Sequence, residues 1–530
     1  YMLIDGNPVE INGEKNLLEV IRKAGIELPT FCYHSELSVY GACRMCMVEN
    51  SHGGMEAACS TVPKAGMEIY TNTERLHKHR KMILELLLAN HCRDCTTCQK
   101  NGKCRLQELA SLFGLESIRF KNLKPEPELD TSSLSIIRDA HKCILCGDCV
   151  RMCNEIQNVG AIDFVNRGSK MVIGPAFNEP IANSPCVGCG QCAAVCPTGA
   201  IVIRKDTGRV WPELNDKNTK VVAQVAPAVR VAMAKEFGLP ENENSMGRIT
   251  AALRRLGFDE VYDTATGADL TVLEESNEFL QRIEAGENLP LITSCCPAWI
   301  QYCEKNHPEL MKNISTCKSP MQMFSSVIKA EYANSSRRVV CVAVMPCTAK
   351  KFECAREEFM HDGVPETDYV ITTQELIQMI HKAGIVFDEL EPEAVDSVFS
   401  TCTGAGVIFG VTGGVTEAVL RRLSTDKSNK ALMSIAFNDV RGMKGVKETT
   451  IPYGDKEVRI AIVSGLKNAE KVIQALKNGE HFDFIEVMAC PGGCVAGGGQ
   501  PFGTNATKEV RGKALYSADK MLSIKRSEEN

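Results

Sequence analysis

A chain of 530 residues with 44% hydrophobic and 24% charged content is long enough for several packed domains, and its composition is neither disordered nor fibrous. Its formal charge of −6 comes without a basic run of the kind that footprints nucleic acid or an anionic membrane. No apolar run approaches the roughly 18 residues a membrane-spanning helix needs, so no nucleic-acid or membrane partner is expected. The opening Tyr1-Met2-Leu3-Ile4-Asp5-Gly6 lacks the basic and apolar regions of a signal peptide, which predicts a cytoplasmic location, while the missing initiator Met suggests a trimmed start. Cysteine is the dominant signal. The 26 cysteines cluster at short spacings that suit chelation of inorganic cores better than disulfides between distant strands.

In chain order, Met2 to Ile11 reads as strand, Gly-Asn turn and strand; Leu17, Val20, Ile21 and Ala24 then keep helical spacing, and Gly25 supplies the stop. This small α+β module, assigned to residues 1–78, places Cys32, Cys43 and Cys46 in a loop containing Gly41, and Cys59 after a strand-like stretch. Four thiolates with one C-x-x-C suit a 2Fe-2S cluster, which takes two sulfur ligands on each iron. The helical stretch Lys81 to Leu88 leads into a second group in residues 79–124: His91, Cys95, Cys98 and Cys104. One imidazole and three thiolates complete a 4Fe-4S cluster or hold a structural zinc equally well, and Cys92 reads as a bystander. Residues 125–208 carry an internal repeat: Cys143, Cys146, Cys149 and Cys153 recur in spacing as Cys186, Cys189, Cys192 and Cys196. In the two-cluster ferredoxin pattern the fourth cysteine of each run crosses over. One 4Fe-4S cluster would take Cys143, Cys146, Cys149 and Cys196, and the other Cys153, Cys186, Cys189 and Cys192. Pro197 follows the second run as usual; Asn154 follows the first, a small departure. So many clusters in succession imply single electrons moved over a distance, with a consumer at the far end.

From about Trp211 the pattern becomes apolar runs alternating with helical segments, which predicts an α/β domain over 209–530 with largely parallel, buried strands. Leu291-Ile292-Thr293-Ser294 leads into Cys295 and Cys296, the run Val339 to Met345 into Cys347, and the run Phe484 to Ala489 into Cys490 and Cys494. Open α/β sheets place ligand sites at the carboxyl ends of their strands, so these three ends are expected to converge on one metal centre. Cys317 and Cys402 lie outside any chelating spacing and read as buried small residues; His307 and His381 read as surface residues. Glu275 and Glu278 share one face of a helix with Arg282 one turn further, which on spacing alone is a solvated face.

The segments Thr293-Ser294-Cys295-Cys296-Pro297-Ala298-Trp299, Met345-Pro346-Cys347-Thr348-Ala349-Lys350-Lys351-Phe352-Glu353 and Glu486-Val487-Met488-Ala489-Cys490-Pro491-Gly492-Gly493-Cys494 resemble the three signatures of FeFe-hydrogenases, in that family's order. With the N-terminal cluster domains in the same arrangement, the resemblance covers nearly the whole chain. It implies reversible conversion of H2 into protons and electrons, and a 4Fe-4S cluster rather than zinc at His91. It also implies an H-cluster, a 4Fe-4S cube linked to a two-iron subsite carrying CO, cyanide and a dithiolate amine. That adds to three further 4Fe-4S clusters and one 2Fe-2S cluster. By matching positions, Cys296, Cys347, Cys490 and Cys494 would hold the cube, with Cys494 bridging to the subsite. Lys350 would contact a cyanide, and Ala226, Pro227, Met345 and Met488 would line the subsite; without the resemblance those methionines read as ordinary core. Cys295, Glu275, Ser315 and Glu278 match the family's proton pathway, with Arg282 near its outer end. Members commonly continue past the equivalent of 525–530 into a C-terminal belt, and here the chain stops.

The rivals are a non-catalytic relative serving cluster assembly, a sensory hydrogenase, and an electron-input subunit resembling the large subunit of complex I. The complete set of Cys295, the four ligands and Lys350, the absence of an appended signalling domain, and the second half of the chain argue against them in turn. Expected partners are ferredoxin or flavin- and NAD(P)-linked subunits, together with the maturation machinery. No nucleotide-binding fingerprint is visible in the chain itself.

Overall fold

The computed structural model describes residues 1–124, 128–399, 401–424, 440–442, 444–453 and 456–530. In the N-terminal module the helix Leu17–Lys23 starts where Asn16 accepts from the Glu19 N–H at 3.1 Å. Its apolar face, Leu17, Leu18, Val20 and Ile21, packs with Met2, Ile4, Val48 and Ile69 of a five-stranded sheet. Strand Met2–Ile4 is central enough to pair antiparallel with Asn7–Val9 and parallel with Glu68–Tyr70. The next helix begins before the expected Lys81: Thr73 caps it by accepting from Leu76 N–H at 3.2 Å, and it runs Glu74–Ala89. Its first turns are mostly polar, so the apolar period that marks Lys81 to Leu88 does not reach back to the cap.

The ferredoxin-like repeat folds around two short antiparallel pairs, Ile136–Arg138 with Ile201–Ile203 and Asp163–Val165 with Val172–Gly174. Both cysteine runs enter one shared core with Ile136, Met152, Ile162 and Ile181.

The catalytic half contains two four-stranded sheets. In the first, Glu260–Asp263, Thr219–Val225, Arg338–Met345 and Tyr369–Thr372 lie side by side, all parallel. In the second, Leu291–Ile292, Phe484–Met488 and Lys456–Ser464 are parallel, and Val446–Tyr453 is added antiparallel at the edge. The strands read as continuous Val/Ile/Ala runs because both faces are covered. Val340 to Met345 and Phe484 to Met488 are buried throughout. The three cysteine-bearing strand ends therefore come from two sheets: Met345 from the first, Ile292 and Met488 from the second. The long helix Thr264–Ala285, capped by Asp263, lies against helices Pro320–Glu331 and Gly414–Leu423, and this cover buries part of the face expected to be solvated. His307 departs from expectation in the same way. It is buried, its Nε2 2.7 Å from Glu470 Oε2, because the helix Leu466–Lys477 folds over it; His381 is exposed as expected. No described helix is long and apolar enough to cross a membrane.

Candidate active site and electron relay

Five strand ends point at one cavity of about 90 Å³. Ala226 and Pro227 follow Val225, Thr264 follows Asp263, Cys295 and Cys296 follow Ile292, Pro346 and Cys347 follow Met345, and Ala489 and Cys490 follow Met488; all line it together with Cys494. Met345 and Met488, the last residues of their strands, line the same cavity. The donor set suits a cationic metal core. Burial, and then the nearby Cys296 thiol, push Cys347 up to about 11, and burial also raises Cys490 and Cys494. Four such thiols massed in an apolar wall need a positive centre to become thiolates.

Among the described residues the one cation in the wall is Lys350, whose Nζ donates to Cys295 O at 3.2 Å and to Glu353 Oε2 at 2.7 Å. Burial pulls its basicity down, but Glu353, together with Cys347 and Cys295, outweighs this and holds it above the ordinary lysine range. Glu353 in turn accepts from Ser319 Oγ at 3.1 Å. A buried ammonium tethered at two points is a fixed charge for whatever anionic ligand faces the cavity.

From Cys295 a line of polar groups leads outward along Thr264–Ala285. Glu275 is buried, and its Oε2 has no hydrogen-bond partner. Burial raises its pKa to about 8, against a lowering contribution from Ser315. Ser315 Oγ donates to Glu278 Oε2 at 2.9 Å, and Glu278 Oε1 accepts from Arg282 Nη2 at 2.5 Å at the half-exposed end. Cys317, read as a plain buried residue, is half-buried beside this line, its Sγ 3.7 Å from Glu278 Oε2. Cys402 is half-buried too, 3.5 Å from Asp263 Oδ2.

The raised pKa of Glu275 has a measurable sign. Between its unfolded value near 4.5 and about 8 the folded chain binds the extra proton, so this group's contribution to stability falls as pH rises through that window. Difference infrared spectra of wild type against Glu275→Gln should show a protonated carboxyl band at pH 6 that disappears above about pH 9. A carboxylate already ionised at pH 6 would contradict the burial argument.

The cysteines of the repeat line two separate cavities. One cavity is lined by Cys143, Cys146, Cys149 and Cys196, another by Cys153, Cys186, Cys189 and Cys192. In the first module, Cys43 N–H points at Cys32 Sγ at 3.3 Å, and Cys46 and Cys59 are neighbours, so the four thiols fall into two pairs. His91 accepts at Nδ1 from the Arg93 N–H at 3.2 Å, while Nε2 is buried without a partner; burial and then Lys142 lower its pKa to about 4. A neutral imidazole with a free buried nitrogen suits ligation, and Cys104, Cys98 and Cys95 stand near one another. Among the described residues no three such side chains converge on a single-ion site.

The cavities adjoin. A Cβ on Gly498 would stand 2.4 Å from Cys189 O, Gln191 Nε2 donates to Ala496 O at 2.9 Å, and Thr348 Oγ1 donates to Gly188 O at 2.7 Å, so the Cys189 cavity backs onto the active-site loops. On the outer side, Arg105 N–H donates to Pro197 O at 3.0 Å, tying the residue after Cys104 to the residue after Cys196. Arg151 ties the same domain to the first module, donating to Cys32 O at 2.9 Å.

Sequence reasoning missed Glu353, Ser319, Thr348 and Gly498, and it missed Glu486. This buried carboxylate accepts from Gly413 N–H at 2.7 Å and from Thr416 N–H and Oγ at 2.8 Å, anchoring the start of helix Gly414–Leu423 beside the cavity-lining Phe409 and Gly410. Only Thr348, Glu353 and Glu486 carried any signal, as members of the quoted segments.

Fold and site define a multicluster iron-sulfur oxidoreductase with its catalytic centre at the carboxyl ends of parallel strands. Residues 219–498 match the family described as iron only hydrogenase large subunit, C-terminal domain. Residues 2–74 match a 2Fe-2S iron-sulfur cluster binding domain, 80–119 the NADH-ubiquinone oxidoreductase-G iron-sulfur binding region, and 142–205 a 4Fe-4S dicluster domain. The chain belongs to the iron-only hydrogenase family, and it is an enzyme that interconverts H2 with protons and electrons carried through iron-sulfur clusters. It is 41% identical to the NADP-reducing hydrogenase subunit HndD of Solidesulfovibrio fructosivorans, over 99% of this chain and 93% of that one. It is 35% identical to iron hydrogenase 1 of Clostridium pasteurianum, over 100% and 94%. A solved structure of the FeFe-hydrogenase HydA1 from Chlamydomonas reinhardtii superimposes with a TM-score of 0.53 at 36% identity, covering 62% of this chain and 92% of the other.

Proposed function

We propose that Cys296, Cys347, Cys490 and Cys494 hold the cube of an H-cluster, with Cys494 bridging to a two-iron subsite that carries CO, cyanide and a dithiolate amine. The observation that carries this is the convergence of those four thiols, Lys350 and the two methionines on one apolar cavity. When bound, the cluster supplies the metal at which hydrogen is made or split. Lys350 fixes a cyanide through its charge, Met345, Met488, Ala226 and Pro227 exclude water, and Cys295 gives and takes the proton nearest the subsite. Glu275, Ser315, Glu278 and Arg282 extend that proton route to the surface. Two neutral carriers, a thiol and a raised carboxyl, bring a proton into an apolar cavity without bringing net charge at rest.

Electrons take a separate route. Cys153, Cys186, Cys189 and Cys192 would hold the cluster next to the active site and Cys143, Cys146, Cys149 and Cys196 the next one out. The set His91, Cys95, Cys98 and Cys104 and the set Cys32, Cys43, Cys46 and Cys59 would hold the two outermost. The family matches fall inside the proposed domains 1–78, 79–124, 125–208 and 209–530. Electron partners of this cytoplasmic chain would be ferredoxin or NAD(P)-linked subunits, the latter in keeping with the name of the Solidesulfovibrio relative; maturation proteins would deliver the two-iron unit. The matured protein is expected to show infrared bands of metal-bound CO and cyanide. Full iron loading after maturation without those bands would overturn the cavity assignment.

A further inference from the structure

The two halves of the cysteine repeat differ at a position that faces their cavities. In the register that matches Cys153 to Cys196, Gln157 matches Ala200. Gln157 lines the cavity of Cys153, Cys186, Cys189 and Cys192, and Ala200 lines that of Cys143, Cys146, Cys149 and Cys196. The repeat thus carries its own comparison: one half folds with a methyl group at this place, so the amide in the other half is not a requirement of the fold. Gln157 closes the wide helical turn Met152–Ile156, its backbone N–H donating to Met152 O at 3.1 Å. Its side chain is buried, and Oε1 accepts at 3.4 Å from the N–H of Leu466, the first residue of helix Leu466–Lys477 in the catalytic half. That contact settles which end of the amide is oxygen and leaves Nε2 as the other end. Nε2 is buried and has no hydrogen-bond partner among the described residues.

A donor held dry and unpaired is costly, and folded proteins keep one chiefly where a functional group receives it. A water is a poor candidate, because it needs two or more polar partners and much of this wall is Ile136, Ile162, Ile181 and Val187. Gln191, the other amide in the wall, already donates its Nε2 to Ala496 O at 2.9 Å. We propose that Gln157 Nε2 donates a hydrogen bond to sulfur of the 4Fe-4S cluster at Cys153, Cys186, Cys189 and Cys192, and so raises the reduction potential of that cluster. The proposal rests on the reading of those four cysteines as the ligands of one cluster. Cluster potentials follow net charge, burial and hydrogen bonds to sulfur. When the cluster takes up one electron it gains one negative charge, and an N–H contact with its sulfur strengthens, so the reduced form is stabilised more than the oxidised form. No proton moves and no bond breaks at Gln157. With Ala200 in the matching place, the cluster of the Cys143 set lacks this contribution. The amide therefore favours electrons on the cluster whose cavity backs onto the active-site loops.

The test is a redox titration of the full-length, cluster-loaded protein, followed by electron paramagnetic resonance. Cys189→Ala identifies the cluster by the signal it removes. Gln157→Met keeps the length of the side chain without its donor, and Gln157→Ala copies the half of the repeat that folds with Ala200. Either variant should shift the one-electron equilibrium of that cluster at least about threefold toward the oxidised form, a fall of about 28 mV at about 59 mV per tenfold, with the other cluster signals unmoved. A smaller shift, or an equal shift at every cluster, would overturn the proposal. A second readout is independent of potential. In protein carrying isotope-labelled nitrogen in its glutamine side chains, the reduced cluster should show a nitrogen coupling that Gln157→Met removes; the same coupling in wild type and variant would also overturn it. The two readings fail differently: if Cys189→Ala removed no cluster signal, the ligand assignment would fall and take the proposal with it, whereas a removed signal with an unmoved potential in both Gln157 variants would count against Gln157 alone.

Discussion

Cys295→Ala is expected to fold, load every cluster and show intact CO and cyanide bands, yet lose at least about 100-fold of hydrogen turnover in both directions, the lower range of what general acid-base groups contribute. Cys295 lines the cavity next to the proposed ligand Cys296 but has no chelating role of its own. Burial, and then the neighbouring Glu275, hold its thiol protonated. An unperturbed thiol titrates near about 8.5, and a methyl group neither gives nor takes a proton. The competing view is that Cys295 only packs; loss of one buried sulfur would then cost on the order of 1 kcal/mol of stability and little rate. Near-normal evolution and uptake after verified H-cluster assembly would refute the relay role. Glu278→Gln should reproduce the loss from the outer end, because its carboxylate joins Ser315 to Arg282.

Cys189→Ala is expected to do the converse. Its carbonyl stands against Gly498 in the active-site loops, and its side chain lines the cavity that backs onto them, so on the proposed relay every electron from an external carrier would pass this point. Carrier-linked turnover should fall at least about 100-fold, since a missing inner cluster leaves a gap no single electron jump bridges efficiently. The cyanide bands should persist, because none of the four cavity thiols is touched. Bands abolished in a still folded Cys189→Ala protein would erase the division between relay and active site.

The relay was the most legible part of the sequence because ligand spacing within a cluster run is local: Cys143, Cys146 and Cys149 announce themselves within one loop. The crossing of Cys153 and Cys196 was legible through the repeat, and the two separate cavities follow it. The active site was legible at its strand ends and no further. That Met345 comes from one sheet and Met488 from another is a matter of strand order, which no local pattern encodes. Glu275 misled for a related reason. Its helical spacing with Glu278 and Arg282 describes a polar face, whereas in the fold Glu275 is buried and faces Ser315, Glu486 and Ser294 from segments distant in sequence. Contacts such as Thr348 with Gly188, separated by 160 residues, lie beyond any reading of periodicity.

Isotope exchange between H2 and D2O tests the account most directly, because it needs the catalytic centre and the proton route but no net electron flow. With infrared bands verified in both variants, Cys189→Ala should retain exchange close to wild type while failing with external carriers, and Cys295→Ala should lose exchange along with turnover. Exchange lost in Cys189→Ala, or retained in Cys295→Ala, would contradict separate proton and electron routes meeting at one cavity.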